Sequence, residues 1–90
     1  MFFVYIIESE TSGRYYIGQT NNLEARLDRH NQGLNLSTKA FIPWKLRWWK
    51  EIETRSEAIQ LETRLKRLKK RTKIEKFVVE NNFRGVAQPG

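Results

Sequence analysis

The sequence predicts an α+β domain: a three-stranded antiparallel sheet flanked by helices, in the order β-β-α-β-α-α. Three observations predict it. Residues 2–8 are a β-branched and aromatic run, followed by a turn signal and a second such run. Three later segments carry apolar residues at helical spacing behind polar capping residues. A tryptophan-rich run separates the first of these segments from the other two. Ninety residues suit one small domain, and helices laid on a sheet are the simplest way to bury such faces.

Taken in order, Phe2–Glu8 reads as the first strand and residues 14–20 as the second, with Thr11, Ser12 and Gly13 marking the turn. A loop over Glu10–Gly13 pairs Ser9 with Arg14, so paired residue numbers sum to 23. Tyr5 then faces Gly18, and Ile7 faces Tyr16. Asn21 and Asn22 offer an N-cap for a helix over Leu23–Gln32, and Gly33 is a natural stop. Residues 34–43 form a polar loop ending at Pro43. Trp44–Glu53 is the third strand, and strict alternation puts Trp44, Leu46 and Trp48 on one face and Lys45, Arg47 and Trp49 on the other. Thr54 and Glu57 make a capping box for a second helix, expected to run to about Lys70. Thr72 and Glu75 repeat that pattern before a third helix, expected to end near Asn81, with Asn81 as its C-cap. Residues 1–82 form the expected domain and 83–90 a flexible tail.

Composition narrows the class. There is no cysteine, so disulfides and thiolate-bound zinc or iron–sulfur centres are excluded. No apolar run approaches the roughly 20 residues of a membrane span. The N-terminus has no basic n-region and no small-residue cleavage site, so a cytoplasmic protein is expected. The net charge is +7 and the pI about 10.1. Residues 62–76 carry +6 of that charge, through Arg64, Lys66, Arg67, Lys69, Lys70, Arg71, Lys73 and Lys76. Charge gathered in one stretch argues for a polyanionic partner, nucleic acid above all.

Polar residues also stand where apolar stripes should run. Leu23 and Leu27 define the inward face of the first helix, yet Arg26 and His30 lie three residues from one or other of them. Glu62 falls beside the stripe of Ala58, Leu61, Leu65 and Leu68, where an unpaired carboxylate costs several kcal/mol by order of magnitude. Each has a plain structural alternative: Arg26 snorkelling to water, His30 as a structural residue, Glu62 in an ion pair with Arg26. In the assumed register Tyr5 and Tyr16 are diagonal neighbours on one face, with backbones roughly 7–8 Å apart, and Gly18 leaves open space for a close approach. Two phenols, a guanidinium, an imidazole and a carboxylate in one region match what phosphodiester hydrolysis needs: a proton acceptor for water, a cation for the developing charge, and a metal or acid for the leaving oxygen.

These residues carry a resemblance. Phe3-Val4-Tyr5, ten intervening residues, then Tyr16-Ile17-Gly18 resembles the paired motif of the GIY-YIG nuclease family. Asn22 to Leu27 with His30-Asn31 is similar to its next motif, and Glu57-Ala58 through Leu61-Glu62 to Leu65-Lys66 to its glutamate helix. Small stand-alone members are the nearest in look. The resemblance implies a three-stranded antiparallel sheet with helices and metal-dependent cleavage of DNA. It implies that Tyr5 and Tyr16 are the motif tyrosines, one acting in general-base activation of water. Arg26 would stabilise charge on the scissile phosphate, His30 would assist by hydrogen bonding or proton transfer, and Glu62 would hold one divalent cation, Mg²⁺ or Mn²⁺. Phe3 departs from the motif glycine, and Gln19 stands where several members carry lysine. The family's late asparagine falls on Asn81 or Asn82.

The function expected is a metal-dependent DNA endonuclease of low intrinsic sequence specificity. Lys39, Arg64, Lys66, Arg67, Lys69 and Lys70 are the expected contacts to nucleic acid, and Trp49 is a stacking candidate. RNA is a second possible substrate, and a protein partner would supply specificity in repair, mobile-element or defence roles. The rivals are a non-enzymatic nucleic-acid-binding module on the same scaffold, and an interaction protein whose basic helix meets an acidic partner. Oligomeric state stays open.

Overall fold

The computed structural model describes residues 1–87, with side chains through Asn81. Its elements are β1 (Phe2–Ser9), β2 (Tyr15–Thr20), α1 (Leu23–Asn31), β3 (Trp44–Ile52), α2 (Arg55–Lys66) and α3 (Arg71–Ala87). This is the predicted α+β order. The strands form one sheet in the order β2-β1-β3, with β1 central and antiparallel to both neighbours. The hairpin register is the predicted one: Tyr5 pairs with Gly18 and Ile7 with Tyr16. The Ser9 amide bonds the Arg14 carbonyl at 2.8 Å, closing the turn where the sequence placed it.

A central strand covered on both faces reads as a continuous apolar run, and Val4, Tyr5, Ile6 and Ile7 are all buried. One face packs Val4, Ile6, Ile17, Trp48 and Ile52 against Ala58 and Leu65 of α2 and Ile74 and Val78 of α3. The other packs Tyr5, Ile7 and Trp44 with Tyr16, Leu23, Leu27, Phe41 and Leu46, under α1. Fully burying each such side chain contributes about 1.5–3 kcal/mol. The polar atoms of the second face have to be satisfied inside a well-packed layer, and they form the candidate site.

Four expectations are corrected. The alternation on β3 is broken: Ile6 pairs with Trp48 but Ile7 pairs with Leu46, so Arg47 is an extra, bulged residue. One extra residue moves the side chains beyond it to the opposite faces. Trp44 and Leu46 therefore join the Tyr5 face, Trp48 joins the Val4 face, and Trp49 returns to the Tyr5 face as the partner of Tyr5. The bulged Arg47 reaches Glu8 at 3.3 Å.

Helix α2 stops at Lys66, short of Lys70. Lys69 adopts a left-handed φ of 57° to turn the chain into α3, which splits the basic stretch between two helices and a turn. Thr72 does not cap α3, because the Lys73 and Ile74 amides bond the Lys70 carbonyl instead. Glu75 pairs with Arg71 at 3.1 Å and accepts the Tyr15 hydroxyl at 3.2 Å. Finally, α3 continues past Asn81 to Ala87, with no proline before position 89 to stop it. Asn81 donates to the Phe77 carbonyl at 2.8 Å inside the helix and is not its cap. Of the expected tail, residues 83–87 belong to α3, and residues 88–90 lie outside the described residues.

The other two caps are as predicted. The Asn22 side chain accepts from the Ala25 amide at 3.0 Å, and Thr54 from the Glu57 amide at 3.2 Å. Gly33 follows α1 at φ 75°, a conformation glycine adopts at little cost. Among the described residues no helix is long and apolar enough to cross a membrane.

Candidate active site

Tyr5 lies in the middle of β1, 1% exposed, with its ring over Gly18 of the edge strand β2. A Cβ at Gly18 would sit 2.6 Å from the Tyr5 hydroxyl, 2.8 Å from its Cζ and 3.3 Å from Tyr16 Cε2. The open space predicted opposite Tyr5 is therefore filled by the phenol itself, and only glycine fits beneath it. The Tyr16 ring is the diagonal neighbour, with centroids 6.4 Å apart.

The inward face of α1 delivers His30 to both rings. Its imidazole is fully buried, 4.9 Å from the Tyr16 ring centre and 6.0 Å from that of Tyr5. Nε2 lies 3.1 Å from the Tyr5 hydroxyl, and Nδ1 lies 2.8 Å from Thr38 Oγ1. Trp44 closes the cluster at 6.4 Å from both Tyr16 and His30. The end of α1 is tied to β3 by a reciprocal pair: Asn31 Nδ2 donates to the Trp44 carbonyl, and the Trp44 amide donates to Asn31 Oδ1.

Burial sets the proton states. Tyr5 is pushed well above the usual phenol value, by burial first and then by Tyr16. Arg26 pulls it down and Glu62 adds to the rise. His30 is held below its ordinary 6.5, by burial first and then by the Arg26 and Arg29 guanidiniums. At neutral pH the pair is a protonated phenol beside an uncharged imidazole.

Arg26 stands one helical turn before His30, half-buried. Among the described residues it has no ion-pair partner, so the expected alternative of a bridge to Glu62 does not form. Glu62 bonds elsewhere. Its Oε1 accepts from Gln19 Nε2 at 2.8 Å, and its Oε2 pairs with Lys66 at 2.9 Å. Gln19, seen in the sequence only as a departure from lysine, thus holds the carboxylate of α2 at the β2 edge. From there the carboxylate still acts electrostatically on Tyr5.

No group of three or more His, Cys, Asp or Glu gathers among the described residues. A single carboxylate with hard oxygen donors suits a hydrated Mg²⁺, which needs only one or two protein carboxylates. Each Glu62 oxygen accepts one donor and has a further lone pair with which it could meet an ion. The residues fit one such ion, which Glu62 would hold.

The structure thus brings Tyr5, Tyr16, Arg26 and His30 together and sets Glu62 within electrostatic reach. Lys39 is exposed in the short 3₁₀ turn Lys39–Phe41, immediately after the buried Thr38. Trp49 is 40% exposed on the face of Tyr5, edge-on to Phe3 at 5.9 Å. Arg64 instead lines a groove with Lys50 and Leu61. Lys69 lies by the hairpin turn with Ser12 and Gly13. Arg67 and Lys70 are exposed at the turn between α2 and α3. These four do not touch the tyrosine cluster. Sequence reasoning missed Thr38, Asn31 and Gln19 as parts of the site. Thr38 carried no signal, because a threonine in a polar loop reads as solvated.

The candidate site is thus a sheet with paired tyrosines over a glycine, a helix presenting arginine and histidine to them, and a glutamate on a second helix. The GIY-YIG catalytic domain family matches residues 1–75, and the chain belongs to this family of nucleases that act on DNA. It is 39% identical over 75 residues to a UPF0213 protein of Bacillus licheniformis, covering 82% of this chain and 76% of that one. It is 38% identical over 85 residues to one of Streptococcus pneumoniae, covering 93% and 84%. A UPF0213 protein of Halobacterium salinarum is 35% identical over 74 residues, covering 81% and 95%. No solved structure matches.

Proposed function

We propose that the protein is an endonuclease that hydrolyses DNA phosphodiester bonds, dependent on one Mg²⁺ or Mn²⁺ ion held by Glu62, with little sequence preference of its own. The observation that carries this is the buried Tyr5–His30 hydrogen bond beside a half-buried arginine that has no carboxylate partner among the described residues. A protonated phenol is a poor base by itself. With an uncharged imidazole at 3.1 Å it can pass its own proton to Nε2 as it takes one from water. This bond favours Tyr5 over Tyr16 as the residue that activates water, and Tyr16 packs its ring against His30 to hold it in place. Arg26 binds the scissile phosphate and offsets the charge that grows there. The metal, when bound, neutralises charge on the phosphate and leaving oxygens.

Lys39 and the exposed cations Arg64, Lys66, Arg67, Lys69 and Lys70 contact the phosphate backbone, which positions nucleic acid without reading its sequence. Trp49 offers a ring on which an unpaired base can stack. Specificity then comes from a protein partner, and RNA is a second possible substrate. A binding module would show the same salt-sensitive affinity but no scission.

The test is plasmid nicking. Cleavage is expected with Mg²⁺ or Mn²⁺, to vanish with excess chelator and to return when metal is restored. Absence of scission under every metal condition would refute the reading. A pH profile adds a second check. His30 must be uncharged to accept a proton, and its pKa lies below 6.5, so cleavage is expected to fall on the acid side with an apparent pKa below that value. The fold changes in the same direction. The unfolded chain binds the His30 proton first, so stability is expected to decline as pH drops from 6.5 through the folded value. His30→Gln should remove both effects, as read by initial rates and by thermal melts.

A further inference from the structure

Thr38 is 1% exposed, although Ser37 and Lys39 on either side of it are exposed. Everything around it holds it there. Its amide bonds the Asn35 carbonyl at 3.1 Å, and its own carbonyl accepts the Trp44 indole N–H at 3.0 Å and the Phe41 amide at 3.1 Å. Its hydroxyl lies 2.8 Å from His30 Nδ1 and 3.4 Å from the Asn35 carbonyl.

We propose that Thr38 is a positioning residue for catalysis: its hydroxyl accepts the proton on His30 Nδ1, which leaves Nε2 bare to take the proton of Tyr5. This rests on the endonuclease reading above for its catalytic meaning, though not for its geometry. An uncharged imidazole carries one proton, and the partner of one nitrogen decides the role of the other. Two directions of bonding are conceivable. In one, the Tyr5 hydroxyl donates to Nε2, Nδ1–H donates to Thr38, and Thr38 donates to the Asn35 carbonyl. Every donor then has an acceptor. In the reverse direction Nε2–H donates to Tyr5, whose hydroxyl proton must then find another acceptor. Arg26 has none to offer, because a guanidinium only donates, and among the described residues no acceptor other than His30 lies within hydrogen-bond distance of the Tyr5 hydroxyl. The first direction is the self-consistent one, and it is the one that makes His30 a proton acceptor. In the reverse tautomer Nε2 could not take the proton of Tyr5.

His30 is the chain's only histidine, so a long-range ¹H–¹⁵N correlation spectrum of the full-length ¹⁵N-labelled protein reads its tautomer without assignment ambiguity. At a pH above the histidine titration the Nδ1–H form is expected in the wild type and in Thr38→Ser. Thr38→Val, which keeps the shape but loses the acceptor, is expected to shift the population toward Nε2–H. In cleavage assays Thr38→Val should lower kcat by about tenfold or more with little change in KM, and Thr38→Ser should restore it. A predominantly Nε2–H imidazole in the wild type overturns the proposal, whatever the activity. So does a Thr38→Val protein that keeps both the Nδ1–H form and wild-type kcat. If Thr38→Val does not fold, the wild-type spectrum and Thr38→Ser decide. If no nucleic acid is cleaved, the endonuclease reading fails while the tautomer still stands or falls on the spectrum.

Discussion

Arg26→Ala is expected to lower single-turnover cleavage by on the order of 10²–10³-fold or more while the chain stays folded. Its guanidinium is half-buried beside the Tyr5 phenol and has no ion-pair partner among the described residues. Truncating it therefore leaves no buried carboxylate unpaired, and the melting temperature should move little. Its charge also sets the proton states around it. It lowers the pKa of Tyr5 and of His30 alike, so its loss raises both. The acid limb of the variant's pH profile should then lie at higher pH than that of the wild type. Arg26→Lys keeps the charge but not the planar fork, and should recover only part of the rate. A variant within a few-fold of wild type would remove Arg26 from the chemistry.

Gly18→Ala is expected to be nearly as damaging to cleavage, with a loss on the order of 10²-fold, although it adds only one uncharged methyl group. The added Cβ meets the Tyr5 hydroxyl at 2.6 Å and Cζ at 2.8 Å. Tyr5 is buried and bonded to His30, so the ring can yield only by breaking that bond or by spreading β1 from β2. Overpacking of this kind costs about 1–3 kcal/mol. Intrinsic preference runs the other way, because glycine inside a strand is worse than alanine by about 0.5–1 kcal/mol. A destabilised, inactive Gly18→Ala thus isolates the steric effect. In a Tyr5→Phe background its cost in thermal stability should shrink, since the nearest clashing atom is gone. An active and stabilised Gly18→Ala would place the working position of Tyr5 elsewhere.

Much of this was legible in the sequence, and for local reasons. The turn at Thr11–Gly13 fixes the hairpin register, which sets Tyr5 over Gly18 and beside Tyr16. Helical spacing alone puts Arg26 and His30 on the inward face of α1. Features that depend on distant pairing were hidden. The Arg47 bulge exists only relative to β1, and it changes which core each tryptophan enters. The left-handed turn at Lys69, between the end of α2 and the start of α3, was also hidden, because nothing in lysine's own chemistry favours that conformation. Gln19 and Thr38 are uncharged polar residues with no pattern of their own. Their roles appear only once Glu62 and His30 are placed against them.

The charge reads differently with the fold in hand. The basic stretch after Glu62 is not one helical face but the end of α2, a turn and the start of α3. Lys66 is drawn to the carboxylate, and Lys69 lies by the hairpin turn. Of the expected nucleic-acid contacts, Lys39 and Trp49 are linked directly to the residues of the tyrosine cluster. Lys39 follows the residue that holds His30, and Trp49 is the cross-strand partner of Tyr5.

The centre is expected to cut nucleic acid and not merely to bind it. This is tested most directly by scoring binding and cleavage separately for wild type and Glu62→Ala. The panel is duplex, flap and single-stranded DNA together with RNA, each with and without Mg²⁺. Both proteins are expected to bind the same substrates, with Glu62→Ala binding at least as well because it has lost a negative charge. Only the wild type with metal is expected to cut, on at least one DNA substrate. Equal cleavage by Glu62→Ala would remove Glu62 from the chemistry, and binding by the wild type with no scission anywhere on the panel would make the protein a binding module.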